Sequence, residues 1–263
     1  MALKTEIAWT QSTLNWWWGC CKVSEGCKFC YAEKDNDRYQ LAEWGPGTIR
    51  TWIGSAISNS KKFNTLGRKA GEKRKVFTLS MGDFFEDHPQ LPEFREKAWK
   101  QMRQMKHINW LVLTKRPELI MQMLPPDFFS GQYNHVHLGC SCEHEKYVGR
   151  LDELRNIPEW GGIRFVSYEP ALGPIHHAVD LTNIDWLIYG GESSRSWLGF
   201  RKDDDDWARD IQKICKQSGT VFFYKQNSGL KKNLKKTLDG VQYYHFPDFD
   251  KNHGKVSSIK SII

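Results

Sequence analysis

The sequence contains no run of about 18 consecutive apolar residues, which is the length that a membrane-spanning helix needs. Its N-terminus, MALKTEIAWT, also lacks the long apolar core of an export signal. These two absences argue against a membrane-spanning helix and against export. We therefore expect a cytoplasmic protein with no membrane partner.

Internal repeats, low-complexity segments and a long linker are absent as well. The chain has 263 residues, of which 40% are apolar and 26% are charged, as in ordinary globular proteins. A chain of this length buries a full core, so it needs neither disulfides nor a metal merely to stay folded. We predict a single domain over residues 1–263.

The formal net charge of +7 is concentrated in two basic runs. KKFNTLGRKAGEKRK (61–75) holds seven basic residues and one acid, and KQNSGLKKNLKK (225–236) holds five lysines and no acid. Such runs suit a phosphate backbone, and the 13% of aromatic residues are available for base stacking. The runs favour nucleic acid as a partner; the alternative is a pair of solvated loops.

Short stretches rich in β-branched and aromatic residues alternate with stretches of helical periodicity along most of the chain. The predicted strands are 5–10, 76–80, 110–114, 136–139, 164–168, 185–189 and 220–224. The predicted helices are 31–44, 92–106, 117–123, 145–155 and 204–217. This alternation predicts an α/β fold with parallel strands. An irregular C-terminal cover is expected from about residue 237.

Chemically rich turns follow six of the predicted strands. They are SMGDFFED (80–87), TKRP (114–117), GCSCEHE (139–145), SYEP (167–170), GGES (190–193) and KQNSG (225–229). The carboxyl ends of parallel strands lie at one edge of a sheet, so we expect these turns to converge on one pocket. Turn chemistry explains Ser, Asp, Gly and Pro there, but it does not call for Lys115, Glu143, Glu169, Glu192 and Lys225.

Four cysteines lie in the segment 19–31, GCCKVSEGCKFCY, which we call the cysteine loop. Clustered cysteines in a reducing compartment more often bind metal than form disulfides. Four thiolates close a zinc site, whereas three thiolates on an iron–sulfur cluster leave one iron open. Adjacent Cys20 and Cys21 cannot easily both face one cluster, so we expect three ligands, with Cys20 preferred over Cys21. Zinc held by all four cysteines, Cys27 and Cys30 included, is the alternative.

Three further cysteines lie outside the loop. Cys140, Cys142 and His144 form a C-x-C-x-H pattern that could hold a second metal, but small thiols on one face of a strand are more often core residues. Cys215 lies on a predicted helix and is expected in the core.

The C-x6-C-x2-C spacing of Cys20, Cys27 and Cys30, with an aromatic residue in CKFC, resembles the radical S-adenosylmethionine (SAM) motif, whose familiar form is C-x3-C-x2-C. Together with LTKRP, FVSYEP, DWLIYGGES and FFYKQ, it resembles a family of small phage-associated radical SAM proteins over about residues 7–247. This resemblance implies a partial (β/α) TIM-like barrel with a [4Fe-4S] cluster on Cys20, Cys27 and Cys30. It also implies SAM as a cofactor and a phage-encoded protein that acts in the host cell.

The same resemblance, together with the position of each residue after its strand, indicates which residues contact SAM and which contact the substrate. For SAM the candidates are Phe29, Ser80, Asp83, Lys115, Ser141 and Glu143. For the substrate they are Glu169, Glu192, Lys225 and Gln226. Tyr31, Tyr168 and Tyr224 are possible hydrogen donors that the sequence does not rank, so no catalytic residue is assigned.

The resemblance and the basic runs together predict a radical SAM enzyme that acts on nucleic acid. The specific expectation is isomerisation of an N-linked glycyl thymidine to its carbon-linked form in phage DNA, with a flavodoxin or ferredoxin as electron donor. One alternative is another DNA- or RNA-modifying or repair enzyme of the radical SAM class, or one for small molecules. The other alternative is a zinc-stabilised, non-catalytic nucleic-acid-binding protein.

Overall fold

Seven strands form one sheet in the computed structural model, which describes residues 2–193, 199–230 and 236–250. These strands are β1 (Ser12–Thr13), β4 (Arg74–Thr78), β5 (Ile108–Thr114), β6 (Val136–Ser141), β7 (Arg164–Tyr168), β8 (Trp186–Gly190) and β9 (Val221–Gln226). Two further short strands, β2 (Trp17–Trp18) and β3 (Thr51–Trp52), pair antiparallel with each other.

The strands follow one another in the sheet in chain order, and every neighbouring pair is parallel. A doubly wound sheet reverses its order at a switch point, whereas a barrel winds in one direction only. Among the described residues, β1 and β9 are the two edges and do not pair with each other, so the barrel is open. The predicted α/β partial barrel is confirmed.

Six α-helices are found in the described residues. They are α1 (Tyr31–Tyr39), α2 (Ala56–Ala70), α3 (Leu91–Gln104), α4 (Ile120–Met123), α5 (Gly149–Arg155) and α6 (Asp205–Ser218). Contacts of α2 with β4, of α5 with β6 and of α6 with β9 place these helices on the outer face of the sheet. None of the described helices is both long and apolar enough to cross a membrane.

Side-chain alternation along the strands separates the outer face from an inner face. On the inner face, an aromatic plug fills the part of the barrel near the amino ends of the strands; its members are Trp9, Phe77, Phe165, Trp186 and Phe249. The Trp9 ring lies 4.7 Å from the ring of Phe77 and 6.2 Å from that of Trp186, between centroids. Beside the plug, the buried His137 contacts Asn109 (Nε2 to Oδ1, 3.2 Å), and the polar turns lie at the carboxyl ends of the strands, which we call the mouth.

The first strand differs from the prediction. Residues 5–10 do not pair in the sheet; the backbone turns there, with a hydrogen bond from the Thr10 amide to the Ile7 carbonyl. The strand β1 follows instead at Ser12–Thr13. The apolar residues that suggested a strand serve a different purpose, because Trp9 is buried in the plug rather than alternating across a sheet.

Helix α2 was not predicted, because the basic residues of 61–75 suggested a solvated loop. Its buried residues, Ala56, Ser60, Phe63 and Gly67, recur at helical spacing but are mostly small, so the apolar face is weak in sequence. The predicted helix at 31–44 ends early, at Tyr39, where Gln40 takes a left-handed conformation. The other six predicted strands overlap β4 to β9, and the other four predicted helices overlap α3, α4, α5 and α6.

Candidate active site

The cysteine loop follows β2 and lies across the mouth of the barrel. It is bonded to the turns that follow four different strands. These contacts are Tyr31 Oη to the Ser80 carbonyl (3.1 Å), Arg116 Nη2 to the Cys21 carbonyl (2.8 Å), Ser24 Oγ to Glu143 Oε1 (2.8 Å) and Arg201 Nη1 to the Glu25 carbonyl (2.9 Å). The convergence of polar turns that the parallel sheet predicts is therefore organised around this loop.

All four loop cysteines are free thiols. Burial, followed by the Asp83 and Glu86 carboxylates and by Cys30, raises the pKa of Cys20. Burial and the neighbouring Cys27 raise the pKa of Cys30, so these three thiols are electrostatic neighbours. The Cys21 thiol instead contacts the Lys22 carbonyl at 3.7 Å in an exposed position.

The donors of the loop are all thiols, which suit an iron–sulfur cluster as well as zinc. In the part of the chain that the structure describes, no three His, Cys, Asp or Glu side chains are grouped to hold one metal ion. An iron–sulfur cluster spreads its thiolates over several irons. The pKa values of Cys20 and Cys30 are raised mainly by burial, although Arg116 beside Cys20 and Lys115 beside Cys30 oppose the rise.

Asp83 follows β4, and its carboxylate is hydrogen-bonded by other groups of the protein. It accepts hydrogen bonds from Thr114 Oγ1 (2.6 Å), the Phe85 amide (3.0 Å), the Lys115 amide (3.0 Å) and Arg116 Nη1 (2.8 Å). Only 6% of Asp83 is exposed, so these bonds replace the solvation that the ion loses. Asp83 thereby orients Arg116 towards the cysteine loop.

A second buried ion pair lies behind Cys20. Arg50 donates through Nε and Nη2 to the two oxygens of Glu86, at 2.9 and 2.8 Å, in a bidentate arrangement. Its remaining donors bond Gly45 and Thr48, and the Gly45 amide bonds the Cys20 carbonyl. The pair therefore ties the segment before β3 to the start of the cysteine loop.

Glu143, after β6, is another heavily bonded carboxylate beneath the loop. Its fully buried side chain contacts Lys115 Nζ at 2.5 Å and Arg150 Nη1 at 2.7 Å, in addition to Ser24. Burial alone would raise the pKa of Glu143, but Lys115 and Arg150 hold this pKa below its ordinary value. A side chain at Gly26 would place its Cβ 2.5 Å from Glu143 Oε1, so the loop can approach this closely only with glycine there.

Glu169 and Lys225 form an ion pair on the other side of the mouth. Glu169 directly follows β7 and Lys225 lies on β9; they meet across β8, where Gly190 has no side chain to separate them. Their side chains are 23% and 14% exposed. The contact uses one of three ammonium donors of Lys225 and one oxygen of Glu169, so hydrogen-bonding capacity remains on both.

Arg201 connects the turn after β8 to the aromatic residue of the loop. Its backbone N and its Nε donate to Glu192 Oε2, at 2.7 and 3.0 Å, and its guanidinium lies 5.2 Å from the centroid of the Phe29 ring. Lys28 and Lys34 lie 5.3 and 5.7 Å from the same centroid. Phe29 is thus an aromatic ring surrounded by three cations at the rim of the mouth.

The remaining predicted residues are distributed as follows. Ser80 Oγ bonds Asn15, and the Ser141 carbonyl accepts from Arg150. Gln226 is buried at the end of β9, where the register with β8 shifts and Gln226 pairs with Gly190. Its Nε2 donates to the Gly191 carbonyl at 3.4 Å.

Strand alternation also distinguishes the three tyrosines and the extra cysteines. Tyr168 and Tyr224 are buried in the outer core under the helices, and so are Cys140 and Cys142. Tyr31 alone of the three tyrosines lies at the mouth, with its hydroxyl on the Ser80 carbonyl. Cys215 is in the same outer core.

Several residues of the site carry no recognisable sequence signal. Arg50, Glu86, Arg150 and Arg201 each bond a loop residue, or a residue that holds the loop. Arg50 and Glu86 are 36 positions apart in the sequence, so no local pattern links them. Arg150 lies seven residues after Glu143. This spacing predicts a contact between them only if a turn between strand and helix is assumed.

A cavity of about 450 Å³ opens beside the loop on the side of Cys21. Its walls include Arg50, Glu86, Lys115 and Arg116. Volumes of this order accommodate small-molecule ligands and cofactors.

The fold and the site define an open, singly wound parallel α/β barrel with a free-thiol loop held across its mouth. Residues 4–247 match the family DUF5131, which is described as a protein of unknown function, and the chain belongs to this family.

Two solved structures of spore photoproduct lyase are similar in fold: a cysteine-to-alanine mutant with dinucleoside spore photoproduct, and a tyrosine-to-phenylalanine mutant. Each is 11% identical, with a TM-score of 0.45; the alignments cover 80% and 78% of this chain and 64% and 61% of those chains. The chain thus spans less than two thirds of their length. No curated protein matches.

Proposed function

We propose that this protein is a radical SAM enzyme whose [4Fe-4S] cluster is bound by Cys20, Cys27 and Cys30. The observation that carries the proposal is the set of three free thiols, with Cys30 beside both Cys20 and Cys27, on a loop across the mouth of a parallel barrel. When bound, the cluster supplies the electron that cleaves the carbon–sulfur bond of SAM. We propose Cys20 rather than Cys21 as the first ligand, since the Cys21 thiol contacts the Lys22 carbonyl at 3.7 Å.

The chain's own residues prepare this site in two ways. Lys22, Lys115 and Arg116 offset the negative charge of the thiolates. Glu143 and Asp83 act by positioning, because their oxygens are already bonded to Lys115, Arg150, Arg116 and the loop. For SAM we propose direct contacts from Phe29, Ser80, Ser141 and Lys115, with Asp83 and Glu143 acting through these neighbours.

We propose nucleic acid as the substrate, bound at the rim around Phe29. An aromatic ring with Lys28, Lys34 and Arg201 around it offers a base a stacking surface and its phosphates a positive field. Glu192 contributes by holding Arg201 in place. A soluble flavodoxin or ferredoxin would supply the electron.

The specific reaction we propose is isomerisation of N-linked glycyl thymidine to the carbon-linked form in DNA. The Glu169–Lys225 pair favours this substrate, because the amine and carboxylate of a glycyl group match the unused oxygen and ammonium hydrogens of the pair. Another DNA- or RNA-modifying or repair reaction of the same enzyme class is the alternative. A zinc-stabilised, non-catalytic nucleic-acid-binding protein, with the four loop cysteines as ligands, is the second alternative.

The decisive experiment is anaerobic reconstitution with iron and sulfide, followed by reduction in the presence of SAM. We expect a brown protein with about four irons and four sulfides per chain, and release of 5′-deoxyadenosine. Cys27→Ala should abolish both, whereas Cys21→Ala is the matched control and should retain both. A colourless protein that binds zinc, or equal behaviour of the two variants, would refute the cluster assignment.

A further inference from the structure

Helix α2 carries four cations on one exposed face. Lys61, Lys62, Arg68 and Lys69 are exposed, while Phe63 and Gly67 of the same helix are buried against the sheet. The spacing of seven between Lys61 and Arg68, and between Lys62 and Lys69, places them two turns apart on the same side of the helix. We call these four residues the α2 stripe.

The α2 stripe differs in its ion pairing from cations on α3 and α6. Within the ranges that the structure describes, none of its four cations forms an ion pair with a carboxylate. By comparison, Arg209 on α6 contacts Asp206 at 2.6 Å, and Lys97 on α3 contacts Glu93 at 2.6 Å. The positive charge of the stripe is therefore available to an external anion.

One further cation, Lys106, lies on a segment that contacts helix α2. The His107 amide donates to Asn64 Oδ1 of α2 at 2.8 Å, which brings the segment after α3 against the helix. Lys106 precedes His107, and its pKa is lowered by burial first and then by the charges of Arg103 and Lys73. Because Lys73 pairs with Asp250 and Arg103 with Asp127, Lys106 is the cation that this segment adds beside the stripe.

The stripe is separate from the mouth. Helix α2 begins four residues after β3, which pairs with β2 just before the cysteine loop, and it ends just before the amino end of β4. Its 15 residues span about 22 Å at 1.5 Å per residue. The stripe consequently runs down the outer wall, away from Phe29 and the cysteine loop.

We propose that the α2 stripe is a second nucleic-acid site, which binds the phosphate backbone of duplex DNA outside the mouth. Residues 61–69 cover about 12 Å along the helix axis, which corresponds to about three or four phosphates of one strand. Four unpaired cations without an aromatic side chain among them suit backbone binding that is independent of sequence. The mouth would select the nucleotide, while the stripe retains the flanking duplex.

The test measures binding of an unmodified duplex of about 30 base pairs by the protein without cluster or SAM, over a range of salt concentrations. Lys62→Glu/Lys69→Glu should weaken binding about tenfold or more at low salt and reduce the slope of log K against log salt by nearly 2, because each lost phosphate contact contributes about 0.9. The matched control is Lys213→Glu/Lys216→Glu on α6, which changes net charge equally on a different wall. Circular dichroism verifies that both variants are folded.

A control variant that weakens binding as much as the α2 variant would overturn the proposal, since net charge alone would then explain the loss. An unchanged α2 variant would also overturn it, and so would binding to anionic lipid vesicles as tight as binding to duplex DNA. The measurement uses no radical chemistry. A protein that fails to cleave SAM would refute the proposed function but leave this result standing.

Discussion

Asp83 and Glu143, on the side of the mouth formed by β4 to β6, each accept at least three hydrogen bonds from their own chain. Glu169 and Lys225, on the side formed by β7 to β9, contact each other once and remain partly exposed. A buried carboxylate that accepts most of its hydrogen bonds from its own chain mainly holds the structure together. The first side therefore positions the cysteine loop, and the second side is open to a bound molecule.

The largest expected effect is the loss of Glu143. Glu143→Ala leaves Lys115 and Arg150 without their shared anion and releases Ser24 of the loop. We expect the free energy of unfolding, measured by urea denaturation, to fall by about 3 to 5 kcal/mol. Glu145→Ala, an exposed neighbour, should change it by less than about 0.5 kcal/mol. Equal losses would show that Glu143 does not anchor the loop.

The close approach of loop and barrel can be tested at Gly26. Gly26→Ala places a methyl group 2.5 Å from Glu143 Oε1, so the loop must move. We expect a loss of about 1 to 3 kcal/mol in the same assay, as for other overpacked positions. Gly149→Ala, where an added Cβ meets nothing within 4 Å, should be neutral or slightly stabilising. A neutral Gly26→Ala would mean that the loop is not held tightly against Glu143.

The anchoring contact also predicts a pH dependence. Lys115 and Arg150 hold the pKa of Glu143 below 4.5, its ordinary value, although burial opposes them. The contribution of Glu143 to stability is therefore complete above pH 4.5 and is lost as the pH falls through the lowered pKa. Unfolding free energies from pH 7 to pH 3 should fall less steeply in Glu143→Gln than in the unmodified protein. Parallel curves would contradict this.

The smallest effect is expected on the open side. Glu169→Gln keeps the shape of the side chain and removes half of a partly exposed pair, so the loss of stability should stay below about 1 kcal/mol. The same substitution at Glu143 should cost clearly more. If Glu169→Gln were as destabilising as Glu143→Gln, the two sides of the mouth would not differ as described.

The parts of the fold set by local periodicity were predictable from sequence. The strands β4 to β9 have apolar residues dense enough to mark them, and their carboxyl ends had to meet at one edge. Helix α2 was not predictable, because Ser60 and Gly67 contribute little apolar signal to its buried face. The sequence predicts a strand over residues 5–10, where the structure has a turn. Apolar composition alone does not distinguish a residue of the aromatic plug, such as Trp9, from a residue of a strand.

The residues of the site were also predictable only in part. The candidates Lys115, Glu143, Glu169, Glu192 and Lys225 follow strands, and the structure brings each of them to the mouth. Arg50 and Arg201 were not predicted as site residues. Their contacts depend on how the loops fold over one another rather than on the spacing of residues in the sequence. Gln226 as a substrate contact stays a prediction, because the strand register shifts at its position and simple alternation does not give its face.

The aromatic plug has a kinetic consequence. Among the described residues, Trp9, Trp186 and Phe249 fill the end of the barrel opposite to the mouth, so a molecule does not reach the polar turns from that end. Under the proposed function two ligands share the mouth, so the one that lies deeper binds first and leaves last. Initial-rate kinetics with two varied ligands should then follow a compulsory order rather than a random one.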